Sequence, residues 1–190
     1  GVPSAPHRRR TLACKPAGKA PHIILMLYES GLAPGTYPGL PFADETLPMF
    51  RSVDGTQRRL RVETFGGATW LTDFAALTGL STRDFGSMRN FAAPFMTGRL
   101  SHALPQYLKA CGYETTQIYP VPGEFGGSGR FYASIGFDRV IDQAIHKAPT
   151  DQERDGFYYG VALDRLAEAR SSGRPQFISL ASMATHAPWD

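Results

Sequence analysis

From His22 to Tyr28 the chain is almost continuously apolar, and Pro21 and Gly31 bound the run. A run of this length without polar alternation reads as a strand buried on both faces, as in parallel sheets sandwiched between helices. Its last acid-bearing position matters as much as its apolar body. Glu29 is the only acid between His22 and Ser30, and an acid ending a buried strand is unfavourable unless it is paired or holds a cation. Further elements follow. Leu60–Phe65 reads as a short strand, and Thr69–Leu80 as a helix with Trp70, Phe74 and Leu77 on one face. Leu100–Ala110 is an amphipathic helix with Gly112 at its end, and Glu114–Tyr119 is a strand. Residues 155–171 form a helix with Tyr159, Ala162, Leu163, Leu166 and Ala169 on one stripe, stopped by Gly173, and Gln176–Ser182 is another buried strand. Strand and helix alternating in this way imply right-handed crossovers. The expected fold is α/β, a three-layer α/β/α architecture around a mainly parallel sheet.

At 190 residues the chain is long enough for one domain with a real core. Residues 1–20, rich in Pro, Ala, Lys and Arg and without period, read as a basic linker ahead of a domain over 21–190. The net charge of +3 is small and partly local to Arg8-Arg9-Arg10, which argues against a nucleic-acid partner. Cys14 and Cys111 fit no metal-ligand spacing. They are open to two readings, a buried thiol at Cys111 or a disulfide in an oxidising compartment. No segment approaches the ~18 apolar residues of a membrane span, and there is no signal peptide. Because Gly1 is not an initiator methionine, the chain reads as a piece of something longer.

In a parallel α/β sheet, ligands bind beyond the carboxyl ends of the strands. Glu29 and His186 both stand there in the expected layout. As a metal ligand Glu29 would offer a hard oxygen suited to Mn, Mg or Zn; its plainer reading is a solvated or salt-bridged strand end. Thr69 lies where Gly66-Gly67-Ala68 runs into a helix. Glycines let the backbone approach a ligand closely, and a helix start favours anions. A threonine hydroxyl there can attack phosphorus or sulfur once its pKa is lowered; it can equally be an N-cap. Asp73, four residues on, reads as a helix-favouring acid in the first turn. His186 can contact an anion or assist a leaving group, or be a hydrogen-bonded loop histidine. Arg130, beside the glycine-rich stretch Gly123–Gly129, can clamp a phosphate or lie on the surface. His7, His22, His102 and His146 carry no assignment.

Taken in order, several segments resemble the alkaline-phosphatase superfamily, and within it the sulfatase-like branch that includes lipoteichoic acid synthases and phosphoglycerol or phosphoethanolamine transferases. They are the strand ending at Glu29, Gly66-Gly67-Ala68-Thr69-Trp70 with Asp73-Phe74 and Leu77-Thr78-Gly79-Leu80, Tyr132–Asp138, and Thr185-His186-Ala187-Pro188-Trp189. The resemblance implies an alkaline-phosphatase-like sheet, cut short at its C-terminal side. It implies Glu29 as a ligand of a divalent metal and Thr69 as both ligand and nucleophile. Thr69 would take a phosphoryl-linked headgroup from a phospholipid donor and pass it to a glycan acceptor or to water. His186 and Arg130 would contact substrate. The resemblance also implies a periplasmic or otherwise extracytoplasmic enzyme, membrane-anchored in its full length. The family completes its metal site with an Asp-His pair downstream of the Thr-His-Ala-Pro-Trp segment, and this sequence ends at Asp190. Around Gly123–Arg130 the chain also departs from the family pattern, and Arg130 is out of register with the family arginine.

Two other functions stay open on the residues. One is a plain phosphodiesterase or sulfatase, although the Cys/Ser-X-Pro-X-Arg pattern of formylglycine sulfatases is absent at Thr69-Trp70-Leu71. The other is a non-catalytic α/β module that binds a glycan or a partner.

Overall fold

The computed structural model describes Cys14, residues 19–31, Gly39, residues 50–56, Arg58, and residues 60–64, 67–150 and 153–186. Strands β1 (Ile23–Leu27), β2 (Glu114–Ile118), β3 (Arg139–Ile141) and β4 (Gln176–Ala181) form one sheet in the order β1-β4-β2-β3. Every neighbouring pair is parallel, with Ile23 opposite Phe177 and Thr115 opposite the same residue from the other side. Parallel neighbours need long crossovers, supplied here by helices α1 (Thr69–Thr78), α2 (Ala92–Met96), α3 (Leu104–Ala110), α4 (Ser128–Ser134), α5 (Gln143–His146) and α6 (Asp155–Ser172).

All six residues of β4 are buried. Successive side chains of a strand point to opposite faces, so β4 feeds two cores. Phe177 joins Phe74, Leu108 and Phe131, from α1, α3 and α4. Ile178 and Leu180 join Tyr158 and Ala162 of α6 on the far side. The sheet thus lies between two helical layers, as expected, and each fully buried aromatic or aliphatic side chain contributes about 1.5–3 kcal/mol of transfer energy. Strand β2 is buried in spite of its polar Glu-Thr-Thr-Gln-Ile sequence. Thr115 shows how: its backbone N–H and its hydroxyl donate to Asp138 Oδ2 at 3.0 and 3.1 Å, which satisfies groups that would otherwise be stranded.

Several expectations are corrected. Strand β1 is not buried on both faces. It is the outer strand of the described sheet, with Ile23 and Leu25 packed on the core while Ile24 and Met26 are exposed; helix α6 packs over β4 and β2 instead. No strand forms over the described residues of Leu60–Phe65. There Glu63 turns its carboxylate to the start of the 3₁₀ segment Thr82–Phe91, accepting from Thr82 N at 2.9 Å and from the Thr82 and Ser81 hydroxyls. Thr82–Phe91 and α2 fill the stretch between α1 and α3, for which the sequence predicted no element. Helix α3 begins at Leu104 rather than Leu100, because Pro105 has no N–H to give to a carbonyl four residues back. Gln106 instead fastens Ala103 N and the Leu100 carbonyl, each at 2.9 Å. The buried stripe of α6 runs through Tyr158, Ala162, Arg165 and Ala169, while Leu163 is exposed. Arg165 can hold a buried position because its guanidinium pairs with Glu168. The basic linker over 1–20 lies outside the described residues apart from Cys14, Lys19 and Ala20.

Cys14 and Cys111 form a disulfide, resolving the choice left by the sequence. It ties the segment ahead of β1 to the C-terminal cap of α3, across 97 residues of sequence. No helix among the described residues is long and apolar enough to cross a membrane. Closing a loop of this length removes denatured-state entropy worth about 4–5 kcal/mol at 25 °C. Cys14→Ser is expected to lower the unfolding free energy by up to that amount in urea titrations, and reductant should destabilise the parent chain but not the variant.

Candidate active site

Thr69 is the first residue of α1. The turn before it is left-handed twice over, at Gly67 (φ 64°) and Ala68 (φ 56°, ψ 43°). Glycine takes that conformation freely, but in alanine it costs about 1–2 kcal/mol. The surroundings hold the turn: the Thr64 hydroxyl donates to the Gly67 carbonyl at 2.7 Å, and Leu71 N donates to the Ala68 carbonyl at 3.0 Å. Ala68, not Thr69, is the N-cap. The Thr69 hydroxyl is therefore not used as a cap, and the capping reading of this residue is excluded.

Glu29 lies just past the end of β1 and is 7% exposed. The ends of β1 and β4 are tied by a hydrogen bond from Ser182 N to the Leu27 carbonyl, 3.2 Å. The Thr185 hydroxyl donates to the Glu29 carbonyl, and Ser30 Oγ donates to Glu29 Oε1 at 3.3 Å. His186 follows in a turn closed by its own N–H on the Met183 carbonyl at 3.0 Å. These links bring the residues after two neighbouring strands to the N-terminus of α1. A cavity of about 110 Å³ results, with Glu29, Thr69, Asp73 and His186 in its wall. Arg130 is exposed on α4 and does not line this cavity.

Asp73 is more than the first-turn helix acid expected. It lies one turn further in, only 3% exposed, and accepts a 2.5 Å hydrogen bond from the Tyr132 hydroxyl of α4. Burial pushes its carboxyl up to about 6, against the pull of the Tyr132 hydrogen bond. Tyr119, also in the cavity wall, is pushed up to about 12, first by burial and then by the charge of Asp73. Burial and the same charge raise Tyr132 well above a free phenol. The Asp73–Tyr132 pair is the part of the site that sequence reasoning missed. The one available signal was an acid at position 73 beside the buried positions 71, 74 and 77; nothing local to Tyr132 names its partner 59 residues away.

As cation ligands, the Glu29 carboxylate and the Thr69 hydroxyl suit a hard divalent metal in kind. They do not suit it in number, because metals of this class take four or more ligands. Asp73 is engaged by Tyr132, and among the described residues no group of three or more His, Cys, Asp or Glu could hold a metal ion. These residues alone do not complete a Mn, Zn or Mg site.

The site is thus a parallel sheet with a buried acid past one strand, a histidine past its neighbour and a threonine at a helix start. Two solved structures carry the same fold. The lipoteichoic acid synthase LtaP from Listeria monocytogenes superposes with a TM-score of 0.67 at 15% identity, covering 90% of this chain and 42% of that one. An alkaline phosphatase superfamily protein from Vibrio parahaemolyticus gives 0.62 at 19% identity, covering 91% and 42%. The Sulfatase family profile matches residues 23–190, and the chain belongs to that family of enzymes. An uncharacterized protein of Haemophilus influenzae is 28% identical over 185 residues, 90% of this chain and 33% of its own length. The capsular polysaccharide biosynthesis protein RkpI of Rhizobium meliloti is 31% identical over 140 residues, 66% of this chain and 24% of its own. The chain thus spans a third or less of these relatives.

The raised carboxyl of Asp73 has a pH consequence. The folded state favours its neutral form, so its stabilising share is full below about pH 4 and is lost as pH rises through about 6. At 1.36 kcal/mol per unit the loss approaches about 3 kcal/mol. Asp73→Asn lacks this dependence. Urea unfolding of both proteins between about pH 4 and 7 should show wild type losing ground to the variant by up to that amount; parallel curves would contradict it.

Proposed function

We propose that this chain is the nucleophile-bearing portion of a sulfatase-family transferase that moves a phosphoryl-linked headgroup, of phosphoglycerol or phosphoethanolamine type, through Thr69. The observation that carries the reading is the single cavity that gathers Glu29, Thr69 and His186 from three separate parts of the chain. Thr69 has the chemistry of the attacking group: a hydroxyl at a helix N-terminus, not taken up as a cap, where peptide N–H groups and the helix dipole favour a phosphoryl anion. In the first half of the reaction the Thr69 Oγ–phosphorus bond forms as the bond from phosphorus to the donor's alcohol oxygen breaks. The hydroxyl proton of Thr69 is balanced by the proton the departing alcohol takes up. In the second half an acceptor hydroxyl displaces Thr69, which regains its proton. His186 contacts the phosphoryl group or the departing oxygen.

A divalent cation, if held by Glu29 and Thr69 together with ligands from outside these 190 residues, would supply charge stabilisation to the threonine alkoxide and the phosphoryl oxygens. A phospholipid donor and a glycan acceptor follow from the resemblance, and a relative named for capsular polysaccharide biosynthesis favours the glycan. The disulfide favours an oxidising, extracytoplasmic compartment. Hydrolysis is the same chemistry with water as acceptor.

The test is a covalent intermediate. The full-length protein that carries this chain, mixed with phosphatidylglycerol or phosphatidylethanolamine, should yield a Thr69 peptide heavier by the headgroup phosphate. Thr69→Ala should lack the adduct and lose at least about 10³-fold in turnover. Wild-type turnover by Thr69→Ala would end the proposal. Recovery of the headgroup on a sugar, or free in solution, separates transferase from hydrolase.

A further inference from the structure

A second cavity, of about 270 Å³, opens beside the first and shares Trp70, Asp73, Tyr119 and Phe125 with it. Thr69 lines only the first cavity, so a molecule in the second space reaches the nucleophile's side across the wall that the two cavities share. Three aromatic side chains around it are left uncovered: Phe91 is 58% exposed, Phe125 51% and Trp70 37%. They come from the 3₁₀ segment 82–91, the glycine-rich turn and α1, and Trp70 meets Phe125 edge-on at 6.0 Å. Water-exposed aromatic area clustered on one concavity marks a binding surface.

The wall is not purely apolar. Asn90 and the buried carboxylate-bearing Asp73 also face it. From this combination we infer that the second cavity is the acceptor subsite and seats one sugar ring. A pyranose has an apolar face of C–H bonds that lies well on the negative face of an aromatic ring, and an edge of hydroxyls for Asn90 and Asp73. A lipid acyl chain would fit the aromatic part but would desolvate the exposed Asn90 amide without returning a hydrogen bond. The volume falls just short of the ~300 Å³ at which drug-sized ligand sites begin, which suits one ring rather than a run of several. The word acceptor rests on the transferase reading above; the binding of a sugar ring does not.

The experiment titrates the chain with methyl β-D-glucopyranoside and, separately, with hexanol, following tryptophan fluorescence in a Trp189→Phe background so that Trp70 is the reporter. A saturable change with the glucoside is expected, weakened at least about fivefold by Phe91→Ala and by Phe125→Ala and unchanged by Glu29→Gln. Both phenylalanines are half or more exposed, so the variants should keep the parent circular dichroism. In the full-length protein, Phe91→Ala should slow discharge of the Thr69 adduct to a sugar relative to its discharge to water. No saturable response to the glucoside, or a response to hexanol alone, overturns the inference. So does glucoside binding that is indifferent to both phenylalanines. Glucoside binding with wild-type turnover by Thr69→Ala would retain the sugar site and remove only the transfer reading.

Discussion

The structure depends on β4 having a partner on each side. Its parallel ladders to β1 and β2 set the register of both strands from one template, and its alternate residues anchor two separate cores. A parallel strand in that position must be apolar or fully bonded along its length, and β4 is buried at all six positions. The placement of the site follows. Once β1 and β4 are in register, the residues that leave their carboxyl ends are neighbours, and the bonds Ser182 N to Leu27 O and Thr185 Oγ1 to Glu29 O fix how they leave. Glu29 and the turn to His186 are therefore a property of sheet register more than of either loop.

The nucleophile is placed by a different device. Ala68 is held in a left-handed conformation that alanine does not favour, and the helix it launches is anchored below by Phe74 and Leu77 and laterally by the Asp73–Tyr132 hydrogen bond. The buried carboxyl thus links α1 to α4, and the aromatic contacts Phe74–Phe131 and Tyr119–Tyr132 continue the same wall. Polar and apolar contacts cooperate here, since a buried acid without Tyr132 would be an unsatisfied group.

Much of this was legible in the residues, and the failures have definite causes. Strands β2 and β4 and helices α1 and α6 were found, because the β-branched residues of β2, the apolar run of β4 and helical periods survive in one dimension. Thr69, Glu29 and His186 were legible because each stands at a boundary between elements. Sheet position was not legible. The apolar run at β1 looked doubly buried because neither a strand's neighbours nor the cover on each face is written in its own composition; Ile24 and Met26 are exposed. The α6 stripe was right at Ala162 and Ala169 but took Tyr159 and Leu166 where Tyr158 and Arg165 are the buried residues, the pairing of Arg165 with Glu168 letting a charged residue sit inside. A strand over 60–65 was expected, but over its described residues the Glu63 carboxylate instead accepts hydrogen bonds from Thr82. Asp73–Tyr132 was invisible because long-range partners leave no local pattern.

The disulfide also determines how the molecule carries load. Residues ahead of Cys14 would, without it, pull directly on β1, a strand with a neighbour on one side only among the described residues. With Cys14 joined to Cys111, tension applied at that end passes into the cap of α3 and the aromatic core beneath it, bypassing the ladder between β1 and β4. Any tether on the N-terminal side then stretches a covalent crosslink, and the register that positions Glu29 stays out of the line of force.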